Sequence, residues 1–236
     1  MRIEIVSWNC RNGFDDIKAS VICKKFPDTD IFIIQECRRN DIYALKDDYK
    51  FYNWYGDDQE YSDIGVAVFS RDCKIEFTDV FLRKFRYVVP YIITTATNKT
   101  FTLFAVWTKP KPQAYDQNVV KAVQSPEYSN LLNSNAVVIG DFNTFAKNED
   151  GLKNLAKELS PLVNCAENSN FWKTHTYYHG KDNSGIDDFC FFSEKLYSKT
   201  KENLKIEVHV DWKDEKGEKL WPGLSDHCPI SIEFEL

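Results

Sequence analysis

Short apolar runs rich in β-branched and aromatic residues recur along the whole chain, and they restrict the possible folds more than any other feature. Their length and period indicate strands. The predicted strands lie near residues 2–8, 30–36, 50–55, 63–70, 74–79, 87–96, 100–108, 136–140, 174–178, 186–193, 203–210 and 228–236. Many strands with a few helices spread among them favour packed β-sheets with helices on the outside.

Three segments between these strands have a helical pattern. One begins after Gly13, and the others lie near residues 115–131, where Pro126 interrupts or restarts the helix, and 149–159. The first helix is predicted to carry on one face Phe14, Ile17, Val21 and Ile22. No linker rich in Pro, Gly or Ser divides the 236 residues, so we expect a single domain over residues 1–236.

The charge and the cysteines limit the class of protein. A net charge of −6 argues against a general electrostatic attraction to nucleic acid or to an anionic membrane, although a local basic groove is compatible with it. The seven cysteines form no C-x-x-C pair, so we expect buried, reduced thiols. The opening residues "MRIEIVSW" lack the apolar run of a signal peptide. We therefore expect a cytoplasmic protein.

The segment "VVIGDFN" ends an apolar strand with Asp141 and Asn143. Residues i and i+2 of an extended segment point to the same side, so both side chains can reach one ligand. A carboxylate can orient a water molecule or accept its proton, and an amide can donate a hydrogen bond to a phosphate oxygen. The alternative is an Asx-turn that only caps the strand.

Other predicted strands also begin or end with polar side chains. Each has a structural explanation when it is considered alone, as a turn former, a solvated strand end or a core residue. These residues are Asn9, Glu36, Trp107, Lys109, Asp187, Asp188, Asp226 and His227. If the sheets bring these ends to one edge, the clustered carboxylates repel one another unless a cation neutralises them. Oxygen ligands of this kind favour Mg²⁺ or Mn²⁺.

The ordered motifs resemble the endonuclease/exonuclease/phosphatase superfamily, which has the DNase I-like fold. The motifs are Trp8-Asn9, Gln35-Glu36, Gly140 through Asn143, Ile186 through Asp188, and Ser225 through His227. The resemblance implies an α/β, four-layered sandwich of two packed β-sheets with helices on the outer faces. It also implies a metal-dependent hydrolase of phosphoesters.

Site roles follow from the resemblance residue by residue. Glu36 would hold the metal, with Asn9 beside it and Asp226 nearby or linked through water. Asp141 would deprotonate the attacking water, and Asn9 and Asn143 would donate to the phosphate. His227 would stabilise the transition state. The "IDD" motif leaves open whether Asp187 or Asp188 supports His227, and the following "FCFFS" favours Asp188.

The substrate is less constrained. Relatives such as DNase I place a histidine or tyrosine near the position of "AVWTKP", where indole cannot supply a proton. Leaving-group protonation would then come from water, while Lys109 could stabilise charge. Trp107, Tyr177 and Tyr178 could stack on bases, or be sheet core. Lysines that could add local positive charge are Lys111, Lys173 and Lys181. The sequence predicts a nuclease for DNA or RNA. The alternatives are a hydrolase of a small phosphorylated molecule and an inactive binding module.

Overall fold

Two six-stranded β-sheets form the centre of the computed structural model, which describes residues 1–56, 63–109, 113–144, 149–165, 174–179, 183–210 and 221–236. The first sheet has the order β13 (Lys205–Val208), β14 (Ile230–Glu235), β1 (Arg2–Asn9), β2 (Ile31–Arg38), β4 (Ile64–Ser70), β3 (Phe51–Gly56). The second has the order β5 (Lys74–Phe77), β6 (Val88–Thr94), β7 (Thr100–Trp107), β8 (Ala136–Asp141), β12 (Asp188–Phe192), β9 (Val163–Asn164). A separate hairpin joins β10 (Tyr177–His179) to β11 (Asn183–Gly185).

The apolar inner faces of the two sheets pack against each other. Side chains such as Ile5 and Ile33 from the first sheet share one buried cluster with Leu103 and Ile139 from the second. The rings of Phe192 and Phe234 also meet across the interface, with centroids 5.1 Å apart. Alternate residues of each strand face this interior. Where the alternation is regular, burial of the apolar runs therefore fixes which side chain at a strand end points inward.

Helices cover the outer faces. Helix α1 (Asp16–Lys25) packs Ala19 and Ile22 on the first sheet. On the second sheet lie α2 (Asp116–Val123), α3 (Ser129–Leu132) and α4 (Glu149–Glu158), which bury Val119, Leu132 and Leu155. The remaining elements are α5 (Glu194–Thr200), α6 (Trp221–Leu224) and 3₁₀ turns at Arg39–Tyr43 and Pro126–Tyr128. The predicted layering of helices outside two packed sheets is confirmed.

The first helix differs from its sequence prediction. Asp15 is its N-cap, and the Asp15 carboxylate accepts a hydrogen bond from the Lys18 amide at 2.9 Å. Phe14 is therefore buried ahead of the helix, and Ile17 is 65% exposed. The predicted apolar face is confirmed for Ile22, which is buried, and for Val21, which is partly buried on the same cluster; it is wrong for Ile17, and Phe14 lies before the N-cap that starts the helix.

Other differences concern short elements. The helix predicted near 115–131 divides into α2, a 3₁₀ turn and α3, because Pro126 begins a new turn. Helix α5 was missed; Ser193 caps it by accepting a hydrogen bond from the Leu196 amide. The seven cysteines are free, and all but Cys23 are buried. Within the described ranges, no helix has the length and hydropathy that crossing a bilayer requires.

Gly140, one residue before the end of β8, lies in close contact with the backbone of the neighbouring strand β7. Its φ is +144°, and a Cβ placed there would lie 2.0 Å from the Val106 carbonyl oxygen and 3.0 Å from Gln35 Nε2. The first contact is with backbone, which cannot move aside as a flexible side chain can. Only glycine fits this position.

We expect Gly140→Ala to lower the free energy of unfolding by at least about 2 kcal/mol, because overpacking and backbone strain each cost about 1–3 kcal/mol. Urea unfolding measures this change. The matched control is Gly223→Ala, since no heavy atom lies within 4 Å of a Cβ built there. Equal stability of the two variants would contradict the steric argument.

Candidate active site

Inward-facing polar side chains from both sheets meet at one edge of the sandwich. Strand β1 runs parallel to β2, and β7 runs parallel to β8, so these strands end together. Strand β12 is antiparallel to β8 and pairs Asp188 with Asp141. The start of β12 therefore lies beside the end of β8. The predicted residues Asn9, Asp141, Asp188 and His227 are all buried at this edge.

The Asp141 carboxylate is completely buried and accepts three hydrogen bonds. Asn9 Nδ2 donates to Oδ2 at 2.8 Å, and Asn143 Nδ2 donates to the same oxygen at 2.9 Å. The backbone amide of Asn143 donates to Oδ1 at 2.8 Å, with Asn143 at φ +46°. This last contact is an Asx-turn. The Asx-turn and the site are therefore built from the same two residues, Asp141 and Asn143.

His227 is held by a carboxylate. Its Nδ1 lies 2.9 Å from Asp188 Oδ2, and both side chains are buried. The "FCFFS" register thus places Asp188 on the histidine. With Nδ1 engaged, Nε2 is the nitrogen available to a substrate. Asp188 Oδ1 is buried without a hydrogen-bond partner among the described residues, so it remains available to a water molecule or a cation.

Burial and mutual charge shift the pKa values of this cluster upward. Burial, with the negative charges of Asp188 and Asp187, raises the pKa of Asp141 to about 8, although His227 and the Asn9 hydrogen bond oppose the shift. For His227, burial lowers the pKa, but the carboxylates of Asp188 and Asp141 outweigh it and raise the value to about 10. The imidazolium is therefore the counter-charge of the Asp188 carboxylate, and of Asp141 in its ionised form.

Glu36 reaches the site because β2 contains a bulge. The β2–β4 register shifts between Gln35 and Cys37, and Glu36 has φ +56°. Its Oε1 accepts from Asn9 Nδ2 at 3.2 Å, and its Oε2 accepts from the Asn12 amide at 2.9 Å. Regular alternation would turn Glu36 away from Asn9, since Asn9 pairs with Gln35. The extra residue redirects the carboxylate toward the strand ends.

Asp226 and Asn9 are linked through Arg11. Arg11 Nε lies 3.7 Å from Asp226 Oδ2, and the Arg11 amide donates to Asn9 Oδ1 at 3.0 Å. Asn9 thus directs its nitrogen, not its oxygen, toward Glu36. A place for Asn9 in a metal's coordination shell requires rotation of this amide.

Two groups of side chains offer ligands to a cation. The ligand atoms of Asp141, Asp188 and His227 lie within 4.8 Å of one another and could hold a metal ion. In that cluster, however, the His227 ring already contacts Asp188 and supplies a positive charge. Glu36 and Asp226 are less buried and each offer a carboxylate, and contacts through Asn9 and Arg11 connect the two residues. Hard divalent cations prefer this donor set.

The residues predicted to contact substrate lie around this cluster. Trp107 is only 2% exposed and stacks on Tyr87, with ring centroids 5.5 Å apart. Lys109 Nζ lies 3.4 Å from the centroid of the Trp107 ring, so a base could not stack there while the ammonium keeps this position. The Tyr177 ring is 4.9 Å from that of His227, and Tyr178 is 43% exposed.

The Lys109 ammonium faces the carboxylates of the site. Burial lowers the pKa of Lys109 to about 8, although the charges of Glu36 and Asp141 oppose the shift. This is consistent with the charge-stabilising role predicted for Lys109. Lys111, Lys173 and Lys181 lie outside the described residues. The roles predicted for the site residues stay predictions.

Two hydroxyl groups support the site and had no predicted role. Thr176 Oγ1 accepts from the amides of Asp187 and Asp188 at 3.0 and 3.1 Å. Ser225 Oγ donates to the Asn9 carbonyl oxygen at 2.6 Å and accepts from the His227 amide at 3.1 Å. Their signal in the sequence was their place in "TYYHG" and "SDH". Their partners become visible only in three dimensions.

The site combines an acid beside amide donors with a carboxylate-supported histidine. A sequence model of the Endonuclease/Exonuclease/phosphatase family matches residues 6–227. The chain therefore belongs to this family, and it is a phosphoester hydrolase of that family. No curated protein sequence matches the chain.

Solved structures share the fold. TDP2 from D. rerio, complexed with single strand DNA product, is 14% identical with a TM-score of 0.65, covering 100% of this chain and 99% of that one. A family protein from Leptotrichia buccalis is 18% identical with a TM-score of 0.64, covering 99% and 100%. An AP endonuclease from Archaeoglobus fulgidus is 15% identical with a TM-score of 0.63, covering 99% and 100%. The predicted DNase I-like fold is confirmed.

We expect Asp188→Asn to lower the pKa of His227 markedly in the metal-free protein, because it removes the carboxylate on Nδ1. Nuclear magnetic resonance of the imidazole carbons measures both values. In the wild type, His227 stays protonated from neutral pH up to about 10 and loses its proton above that. The control is Asp187→Asn, which we expect to shift the value less. An unchanged His227 pKa in Asp188→Asn would contradict the charge assignment.

Proposed function

We propose that this protein is a metal-dependent phosphodiesterase that hydrolyses DNA or RNA. The observation that carries the proposal is the buried Asp141 carboxylate, held by two asparagines beside the Asp188–His227 pair. This geometry supplies a base, amide donors and a positive charge within one small volume. Each of these groups can lower the barrier to phosphoester hydrolysis.

Asp141 is the general base of the proposed reaction. Burial raises its pKa to about 8, so its ionised form is a stronger base than an ordinary aspartate and is the form that accepts the proton from water. The three donors to its oxygens fix its orientation. Asn9 Nδ2 donates to both Asp141 and Glu36, whereas the second contact of Asn143 Nδ2 among the described residues is a long one, 3.4 Å to the Thr108 carbonyl oxygen. Asn143 is therefore the amide that can turn more readily to the phosphate.

His227 stabilises the charge of the transition state. Asp188 holds the ring by Nδ1, so Nε2 can donate to a non-bridging phosphate oxygen. The raised pKa keeps the imidazolium protonated at neutral pH. Lys109 adds a second positive charge on the side of Glu36 and Asp141. Donors aimed at developing negative charge are among the largest contributions to catalysis.

Glu36 and Asp226 would hold a divalent cation, Mg²⁺ or Mn²⁺, with Asn9 beside them. A bound cation of this kind supplies Lewis-acid stabilisation of phosphate charge. The chain contributes two carboxylates that neighbouring groups already orient, Glu36 through the Asn12 amide and Asp226 near Arg11. In the Asp141 cluster, the His227 imidazolium already balances the charge of the Asp188 carboxylate, so this pair needs no metal ion for charge balance.

Exposed aromatic and basic groups support a polynucleotide substrate. Tyr178 is exposed, and Tyr177 lies next to His227, where a base flanking the scissile phosphate could stack. Arg11 is exposed beside Asp226. The similar structures include a protein complexed with single strand DNA product and an AP endonuclease. The net charge of −6 limits the number of phosphate contacts, so we propose weak binding with a shallow salt dependence.

We expect hydrolysis to require Mg²⁺ or Mn²⁺. Stripping the metal with EDTA should abolish turnover, and adding back either cation should restore it, because the carboxylates of Glu36 and Asp226 cannot stabilise phosphate charge by themselves. The measurement is the rate on labelled DNA and RNA. NaCl at matched ionic strength serves as the control. Full activity of the stripped enzyme in excess EDTA would refute the metal requirement.

We expect Asp141→Asn and His227→Ala each to lower turnover by about 10²–10⁴-fold while the protein stays folded. The control for loss of a buried histidine is His209→Ala, since His209 packs on Phe26 outside the site.

Labelled single- and double-stranded DNA and RNA are assayed beside inositol phosphates and a simple phosphomonoester. If only a small phosphate is turned over and no polynucleotide is cut at high enzyme concentration, the protein is a hydrolase of small molecules and the nuclease proposal is wrong.

A further inference from the structure

The loop between β1 and α1 has an unusual backbone. Arg11, Asn12 and Gly13 have φ values of 51°, 63° and 114°, so three consecutive residues adopt left-handed conformations. Residues other than glycine rarely adopt a positive φ, and two of these three residues are not glycine. Such a loop keeps its shape only if other groups hold it.

The backbone amides of Cys10 through Phe14 each have an acceptor. The contacts are Cys10 to the Gln35 carbonyl at 3.0 Å, Arg11 to Asn9 Oδ1 at 3.0 Å, Asn12 to Glu36 Oε2 at 2.9 Å, Gly13 to the Glu36 carbonyl at 2.9 Å and Phe14 to Asp41 Oδ2 at 2.6 Å. Two of these amides contact Glu36, and a third contacts Asn9. The position of the Glu36 carboxylate and the shape of the loop therefore depend on each other.

Lys18 holds the opposite side of the loop. Its Nζ donates to the carbonyl oxygens of Cys10, Arg11 and Gly13 at 2.5, 2.8 and 2.8 Å. An ammonium group has three donors, and here each has an acceptor. Lys18 lies in the first turn of α1, where the helix dipole disfavours a cation. The favourable interactions of the Lys18 ammonium at this position are therefore its contacts with the loop carbonyls, because the helix dipole opposes its charge.

We propose that Lys18 is a positioning residue for the metal site. Its ammonium fixes the Cys10–Gly13 loop so that the Asn12 amide holds Glu36 ready for a divalent cation. The inference rests on the proposed function, because it assumes that Glu36 binds the metal. It concerns affinity for the metal and assigns Lys18 no contact with substrate.

Calorimetric titration with Mn²⁺ tests the proposal on the complete chain without substrate. We expect Lys18→Met to raise the Kd for Mn²⁺ by about 10–100-fold, the range typical of residues that orient metal ligands. The matched control is Lys24→Met, an exposed lysine of the same helix, which should leave the Kd unchanged. Thermal unfolding checks that each variant is folded. If Lys18→Met does not fold, Lys18→Gln takes its place.

A chemical rescue separates positioning from a general loss of structure. Propylammonium replaces the atoms that Lys18→Ala removes, so it should restore Mn²⁺ affinity to that variant. Tetramethylammonium has the same charge but no N–H donor, and it should not. Restoration by both ions, or by neither, would overturn the specific role of the three carbonyl contacts.

The wild type and Glu36→Gln separate the two proposals. Tight Mn²⁺ binding by the wild type, lost in Glu36→Gln but unchanged in a folded Lys18 variant, would overturn the role of Lys18 alone. Absence of Mn²⁺ binding by the wild type would overturn the proposed metal site and this inference together.

Discussion

The buried carboxylate of Asp141 is the group on which the rest of the structure depends. A charge removed from water destabilises the fold by several kcal/mol unless partners compensate it. Here the partners come from both sheets, with Asn9 from β1 and Asn143 from the end of β8. The two sheets must therefore meet in one register at this edge. The same contacts that make burial of the carboxyl group tolerable also fix its orientation, as the proposed role of a base requires.

Two local irregularities make this meeting possible. Gly140 removes the side chain that would collide with the Val106 carbonyl, one residue before Asp141. The bulge in β2 turns Glu36 toward Asn9, out of the alternation that the strand otherwise follows. Left-handed backbone at Glu36 and Asn143 carries a strain of about 1–3 kcal/mol each. Two of the positive-φ residues that are not glycine, Glu36 and Asn143, thus lie at the candidate site, and others, such as Asp63 and Asn98, lie elsewhere in the fold.

Positive charges at this edge have different tasks, although the protein as a whole is acidic. The His227 imidazolium balances Asp188 and Asp141 deep in the site. Lys109 lies over Trp107 and faces Glu36 and Asp141. Lys18 is saturated by backbone carbonyls and keeps the neighbouring loop in shape. Because these three cations lie at separate, fixed positions, the net charge of the whole protein does not describe the charge within the site. A few cations at fixed positions determine its chemistry.

The sequence by itself determined the strand pattern, the sandwich of sheets with outer helices, and the residues at the strand ends. These follow from local periodicity and from short motifs such as "GDFN" and "SDH". Tertiary structure alone decided that Glu36 faces Asn9, that Trp107 lies under Lys109 and that Thr176 and Ser225 brace the site. It also moved the start of α1 and turned Ile17 to solvent. The physical reason is that bulges, caps and long-range hydrogen bonds depend on partners far away in the chain, which periodicity cannot show.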